Sequence, residues 1–237
     1  MNPYQKLKDQ KRKWTPVRPT AGAVVEGAEE AVFRALAMRH MELPVGDFIE
    51  AALGDIPKMS KDLLLSNIKD EENHDIALGY VAETLGVDKE AEEEAIRLRD
   101  AWLAHPDHTV LKALVAERAI FFVLLPFFRF NGGASLRTVS ADISRDERTH
   151  VAGNSLVCAE LGLTPSPSLD KLRKATIAWV MQPLNNSLSN KYLQKDFWLK
   201  ASDNLMYQGK APELTETKRG RMISFFEHDN RNLPMYG

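Results

Sequence analysis

Two short stretches of this 237-residue chain place a carboxylate and an imidazole three residues apart: Glu71-Glu72-Asn73-His74 and Glu147-Arg148-Thr149-His150. An aspartate stands just before the glutamate in each, at Asp70 and Asp146. Three residues along a helix bring two side chains to one face about a turn apart, so each pair can bind one metal ion. Two such pairs could hold two ions side by side if two further helices each supplied a carboxylate, the plan of dinuclear carboxylate bundles.

Those further helices can be sought from periodicity. Residues 22–43 carry Val25, Ala28, Val32, Phe33 and Leu36 at helical spacing, with Pro44 as the expected stop. Glu29 falls on this apolar face. Glu30 lies toward the wetter side and can pair with Arg34, while Glu26 lies at the edge of the face and stays open as an alternative. A short helical turn is expected from Asp47 to Leu53, then the Gly54-Asp55-Ile56-Pro57 break. A long helix from near Ser60, its expected cap, to Leu85-Gly86 holds Glu71 and His74. A charged helix follows over 88–104.

The most apolar helix spans about 108–130, with Glu117 in its middle and Pro126 predicting a kink or a bulge one turn earlier. A buried carboxylate costs several kcal/mol unless something pairs with it, so Glu117 needs a partner. After the Asn131-Gly132-Gly133 turn, a helix over about 135–161 holds Glu147 and His150. Residues 169–208 read as one or two more helices and 215–227 as another. No stretch alternates like a strand, so the fold class is all-α.

Loop arithmetic brings the candidates to one level. Glu117 and Glu147 each lie about a dozen residues, roughly 18 Å, from the turn between their helices. Glu29 lies a similar distance before Leu43, and Glu71 past Ser60. The metal ligands read in this way are Glu29, Glu71, His74, Glu117, Glu147 and His150. Asp70 and Asp146 are expected behind the imidazoles as acceptors of their ring N–H. Asn154 shares the His150 face and can hydrogen-bond to a ligand. Cys158 reads as a small packed residue, and His40, three turns from Glu29, as non-ligating.

Composition bounds the class. Hydrophobic residues make up 44% and charged residues 27%, with a net charge of −2 and one cysteine. That balance gives no argument for nucleic acid or a membrane, and it fits a reducing, cytoplasmic setting. Residues 1–20 hold six Lys and Arg against Asp9 alone and read as a basic mobile arm. The helical domain then covers 21–228, and 229–237 reads as a mobile tail.

VAERAIFFVLLPFF followed by SADISRDERTHVAGNSLV resembles the third and fourth metal-bearing helices of the class I ribonucleotide reductase small subunit. The DEENH helix is similar to that family's first Glu-x-x-His helix. The likeness covers about residues 22–160. It implies a ferritin-like four-helix bundle core with additional helices, two iron ions or a manganese/iron pair, oxygen activation and an electron donor. It also implies a homodimer and a large catalytic partner subunit. Where that family has a radical-forming Tyr four residues after the first ligand His, this chain has Leu78, and Tyr80 points elsewhere. A stored tyrosyl radical is therefore not expected. Leu78, Phe121, Phe122 and Leu125 are expected to line a dry pocket, and Tyr236 reads as part of a loose end. A stand-alone di-iron oxygenase acting on a small apolar substrate and a ferroxidase are the rival readings.

Overall fold

The computed structural model describes residues 2–20 and 22–214, and every regular element among them is a helix, with no strand. The elements are α1 (Pro3–Lys8), α2 (Glu29–Ala37), α3 (Glu42–Ala52), α4 (Lys61–Leu85), α5 (Lys89–Ala104), α6 (Thr109–Ala116), α7 (Phe122–Asn131), α8 (Gly133–Glu160), α9 (Pro167–Met181) and α10 (Lys195–Gln208). The all-α expectation holds for these residues. None of their helices is long and apolar enough to cross a membrane. The helix expected over 215–227, the tail and Tyr236 lie outside the described residues.

Four helical rods enclose the core. α3 packs on α4, α4 on α8, α8 on the α6–α7 rod, and α6 back on α3. Short connections join α3 to α4 and α7 to α8, as antiparallel neighbours require. Between α4 and α8 the Leu63 side chain packs onto Gly153, where a Cβ would sit 2.8 Å from Leu63 Cδ2.

The first rod departs from the sequence reading. Pro44 does not end it: a 3₁₀ turn over Met38–Met41 joins α2 to α3, and Pro44 lies in the first turn of α3. Proline is tolerated there because first-turn N–H groups have no helical acceptor. The short turn expected at Asp47 is thus the body of α3. Ser60 also differs, since its hydroxyl donates to the Pro57 carbonyl rather than capping α4.

The third rod follows expectation. Residues Glu117–Phe121 form a π turn, and Pro126 lies one turn beyond it inside α7. α10 packs against that widened turn: Ser202 Oγ donates to the Ala119 carbonyl at 2.7 Å, and Arg118 Nε donates to the Leu205 carbonyl at 2.9 Å.

The amino-terminal segment lies along the bundle. Tyr4 is fully buried and donates its hydroxyl to Glu160 Oε1 at 2.6 Å. The cations then find acids spread along α4 and α8: Lys8 with Asp62, Lys11 with Asp70, Arg12 with Asp142 and Arg18 with Glu83. Local charge counting missed this because every partner is distant in sequence.

Candidate metal centre

Halfway along the rods, six side chains turn inward: Glu42 from α3, Glu71 and His74 from α4, Glu117 from the π turn, and Glu147 and His150 from α8. None is more than 1% exposed. Both histidines aim Nδ1 at the carboxylates. His74 Nδ1 lies 3.2 Å from Glu71 Oε2 and 3.5 Å from both Glu42 Oε2 and Glu147 Oε1. His150 Nδ1 lies 2.9 Å from Glu71 Oε1, 3.7 Å from Glu117 Oε1 and 3.9 Å from Glu147 Oε2. Glu71 and Glu147 therefore each give one oxygen to either ring, while Glu42 serves His74 and Glu117 serves His150.

Buried polar atoms are almost always hydrogen-bonded. Here Glu42 Oε2, Glu71 Oε1, Glu117 Oε1, both Glu147 oxygens and His150 Nδ1 have no such partner. All of them face the same interior point, and a cation there would satisfy them together. Glu42, Glu71, His74 and Glu147 could hold a metal ion, and Glu71, Glu117 and His150 make a second such group. The donor set fits the group it implies.

The ring nitrogens on the far side are anchored crosswise. His150 Nε2 lies 2.9 Å from Asp70 Oδ2, on α4, and His74 Nε2 lies 3.3 Å from Asp146 Oδ2, on α8. Each aspartate thus serves the other helix's histidine. These contacts fix ring orientation and leave Nδ1 as the atom offered to a cation. The amino-terminal segment closes over both aspartates. Trp14 Nε1 donates to Asp146 Oδ2 at 2.6 Å, and Lys11 Nζ lies 2.5 Å from Asp70 Oδ2. The Trp14 and His74 rings stack 6.2 Å apart, and the two histidine rings 5.7 Å apart. On the outside, Leu7, Lys11, Arg12, Arg145, Arg148 and Asp146 help line a cleft of about 330 Å³.

Charge in so dry a place reshapes every titration. Burial pushes Glu42 up to about 8. Burial and then the charge of Glu147 raise Glu117 well above the carboxylate range, and burial and then Glu71 raise Glu147. Burial also acts to raise Glu71, but the charges and hydrogen bonds of His150 and His74 outweigh it and hold that group low. Burial disfavours both charged rings, yet the surrounding carboxylates lift them well above an ordinary histidine. In metal-free protein, protons balance the carboxylates where a cation otherwise would.

No protein-family model matches the chain, and the search of curated proteins finds no match either.

Five of the six residues expected as ligands meet here. Glu29 does not: it is exposed, and its Oε2 accepts from the Gly27 N–H at 2.7 Å. The alternatives fare no better, since Glu26 is exposed and Glu30 pairs with Arg34 at 2.7 Å as expected. The residue in that place is Glu42. Counted back from the true end of the rod at Ala52, it lies ten residues in, matching Glu71 ten residues into α4 from Lys61. Its sequence signal was a single acid among Met41, Leu43, Pro44 and Val45.

The neighbours behave as their chemistry suggests. Asn154 Nδ2 donates to Glu117 Oε2 at 2.7 Å. Cys158 is buried, and burial followed by the charge of Glu117 pushes its thiol up to about 12. His40 pairs with Glu92 at 2.7 Å, away from the centre. Leu78, Phe121 and Leu125 are buried, Phe122 is half-buried, and Tyr80 lies beneath the Arg18 guanidinium. Lys11 and Trp14 were not foreseen, because nothing local marks them.

Proposed function

We propose that this chain is a dinuclear-metal oxidoreductase that activates O2, with the ferritin-like bundle and the ancestry that its likeness to the ribonucleotide reductase small subunit implies. The observation that carries the reading is the sharing of Glu71 and Glu147, whose paired oxygens face two different imidazole nitrogens. Glu42 and His74 would complete one position, and Glu117 and His150 the other. Four carboxylates balance two divalent ions, and oxygen donors mixed with histidine suit iron or a manganese/iron pair. When bound, such a pair supplies the electrons and open coordination positions that O2 reduction needs.

The chain's own residues do the rest. Asp70 and Asp146 hold the rings in register, and Asn154 fixes one oxygen of Glu117. Leu78 and Phe121 help keep water out. Trp14, Asp146 and His74 form a continuous hydrogen-bonded chain from the half-buried indole to the centre. An oxidisable indole so placed offers a route for electrons from a donor, or toward a large partner subunit docked on a homodimer of this chain. That route favours the reductase-like reading. Leu78, where the family has tyrosine, favours the rival of a stand-alone oxygenase on a small apolar substrate.

Aerobic reconstitution with Fe(II), Mn(II) and their mixture, followed by O2 uptake and electron paramagnetic resonance, tests the proposal. Metal-dependent O2 consumption without a persistent tyrosyl signal is expected. Metal binding with no O2 consumption in any mixture would refute the catalytic reading, and a sharp tyrosyl signal would refute the argument from Leu78.

A further inference from the structure

The backs of the two histidines carry different charge. Behind His74, Asp146 receives the neutral indole N–H of Trp14. Behind His150, Asp70 receives the ammonium of Lys11, which also donates to Ser66 Oγ at 2.8 Å and Asn67 Oδ1 at 2.9 Å. Three acceptors around one nitrogen use the three N–H donors of an ammonium; burial works against that charge, while Asp70, in direct contact, and Asp146 and Glu71, farther off, favour it. The Lys11 side chain is only 11% exposed, so solvent screens it little.

The sum of charge therefore differs between the halves. Glu71 and Glu147 are shared and count equally. With the ligand carboxylates ionised, as holding a cation requires, the His74 half adds Glu42 and Asp146, for −2, while the His150 half adds Glu117, Asp70 and Lys11, for −1.

Building on the two-ion reading, we infer that Lys11 makes the two cation positions unequal: the one beside His74 fills first, and the one beside His150 binds more weakly. Lys11 touches no ligand and acts through Asp70, so it is a positioning residue that sets affinity. A chain that must take up two different ions in order, or exchange one while keeping the other, needs such a difference. The ligand types are alike in the two halves, but Glu147 stands nearer His74 than His150 and Asn154 takes one Glu117 oxygen, so a Lys11 variant is what isolates the share of Lys11.

The test is calorimetric titration of the full-length, metal-free protein with Mn(II) alone under anaerobic conditions. Two binding steps are expected. Lys11→Met should tighten the weaker step roughly tenfold, the lower end of what partners behind a ligand control, and leave the stronger step in place. Lys11→Arg should keep the wild-type gap. If Lys11 only braced the fold, Lys11→Met would weaken binding or leave the gap unchanged, and either result overturns the inference. Should Lys11→Met fail to fold, wild-type crystals grown with one equivalent of Mn(II) decide: anomalous density beside His74 supports the inference, and equal density or density beside His150 refutes it. A wild-type chain that saturates at a single ion removes the two-ion reading itself, a failure distinct from these.

Discussion

Two ionic clusters in this molecule each enclose fully buried charged side chains and differ in how those are satisfied. Arg173, in α9, is fully enclosed, yet its donors reach Asp170 Oδ1, Asp203 Oδ1 and Ser202 Oγ, each at 2.7 Å at the closest. Ser202 passes the contact on to the Ala119 carbonyl. Lys174 also reaches Asp170, so two cations meet two acids, and the cluster ties α9 and α10 to the π turn. The centre between α3, α4, α8 and that π turn has four carboxylates against two imidazoles, and its unpartnered atoms converge on one point. A buried charge with partners holds a fold together. A buried excess of one sign with orphaned atoms is a place built for something of the opposite sign.

Substitutions separate the two clusters most sharply at the shared carboxylates. Glu71→Ala should abolish tight binding of both ions, seen as metal content falling from two per chain to well under one. Retained double occupancy would remove Glu71 from its bridging place. Glu42→Ala and Glu117→Ala should each cost one ion, whereas Glu29→Ala should cost none; the reverse order for Glu29 and Glu42 would restore the sequence-based assignment.

Arg173→Met should leave metal content unchanged and lower stability. The expected loss is about 2–3 kcal/mol, less than for a fully enclosed pair because Asp203 is 46% exposed. At about 2–4 °C per kcal/mol for a chain of this size, thermal melting would register it clearly. A metal-content change in this variant would erase the distinction drawn above.

The pH dependence of the metal-free protein follows from the same imbalance. Glu42 rises from 4.5 to about 8 on folding, so its contribution is complete below 4.5 and is lost as pH climbs through about 8. Glu117, Glu147 and both histidines are raised and share that sign. Glu71 is lowered, so its contribution disappears only in acid. Melting temperature without metal should fall between about pH 6 and 9, and saturating Mn(II) should flatten the fall, because the ions replace protons that the ligands release. A melting temperature that rises over this range in metal-free protein would contradict the charge excess. The smallest effect belongs to Trp14→Phe: loss of the hydrogen bond to Asp146 should cost about 1 kcal/mol, with two ions still bound.

The sequence showed the periodic parts well and the non-local parts poorly. The i,i+3 pairs at Glu71 and His74, and at Glu147 and His150, announce a shared helix face, and an isolated Glu117 in an apolar helix announces a buried acid. Pro126 told of the widened turn that carries Glu117. Reading Pro44 as a stop sets the level at Glu29, but the rod runs on to Ala52 and brings Glu42 there, because proline in a first turn breaks no hydrogen bond. The crosswise pairing of Asp70 with His150 and Asp146 with His74 was only half visible, because it depends on how α4 faces α8. Lys11 and Trp14 escaped altogether, since their partners lie 59 and 132 residues away.

The measurement closest to the central claim is electron paramagnetic resonance of the fully loaded Mn(II) protein, read together with metal content. Two ions per chain with the spectrum of an exchange-coupled pair are expected, because Glu71 and Glu147 would bridge them. One ion per chain, or two with the hyperfine pattern of isolated Mn(II), would contradict it.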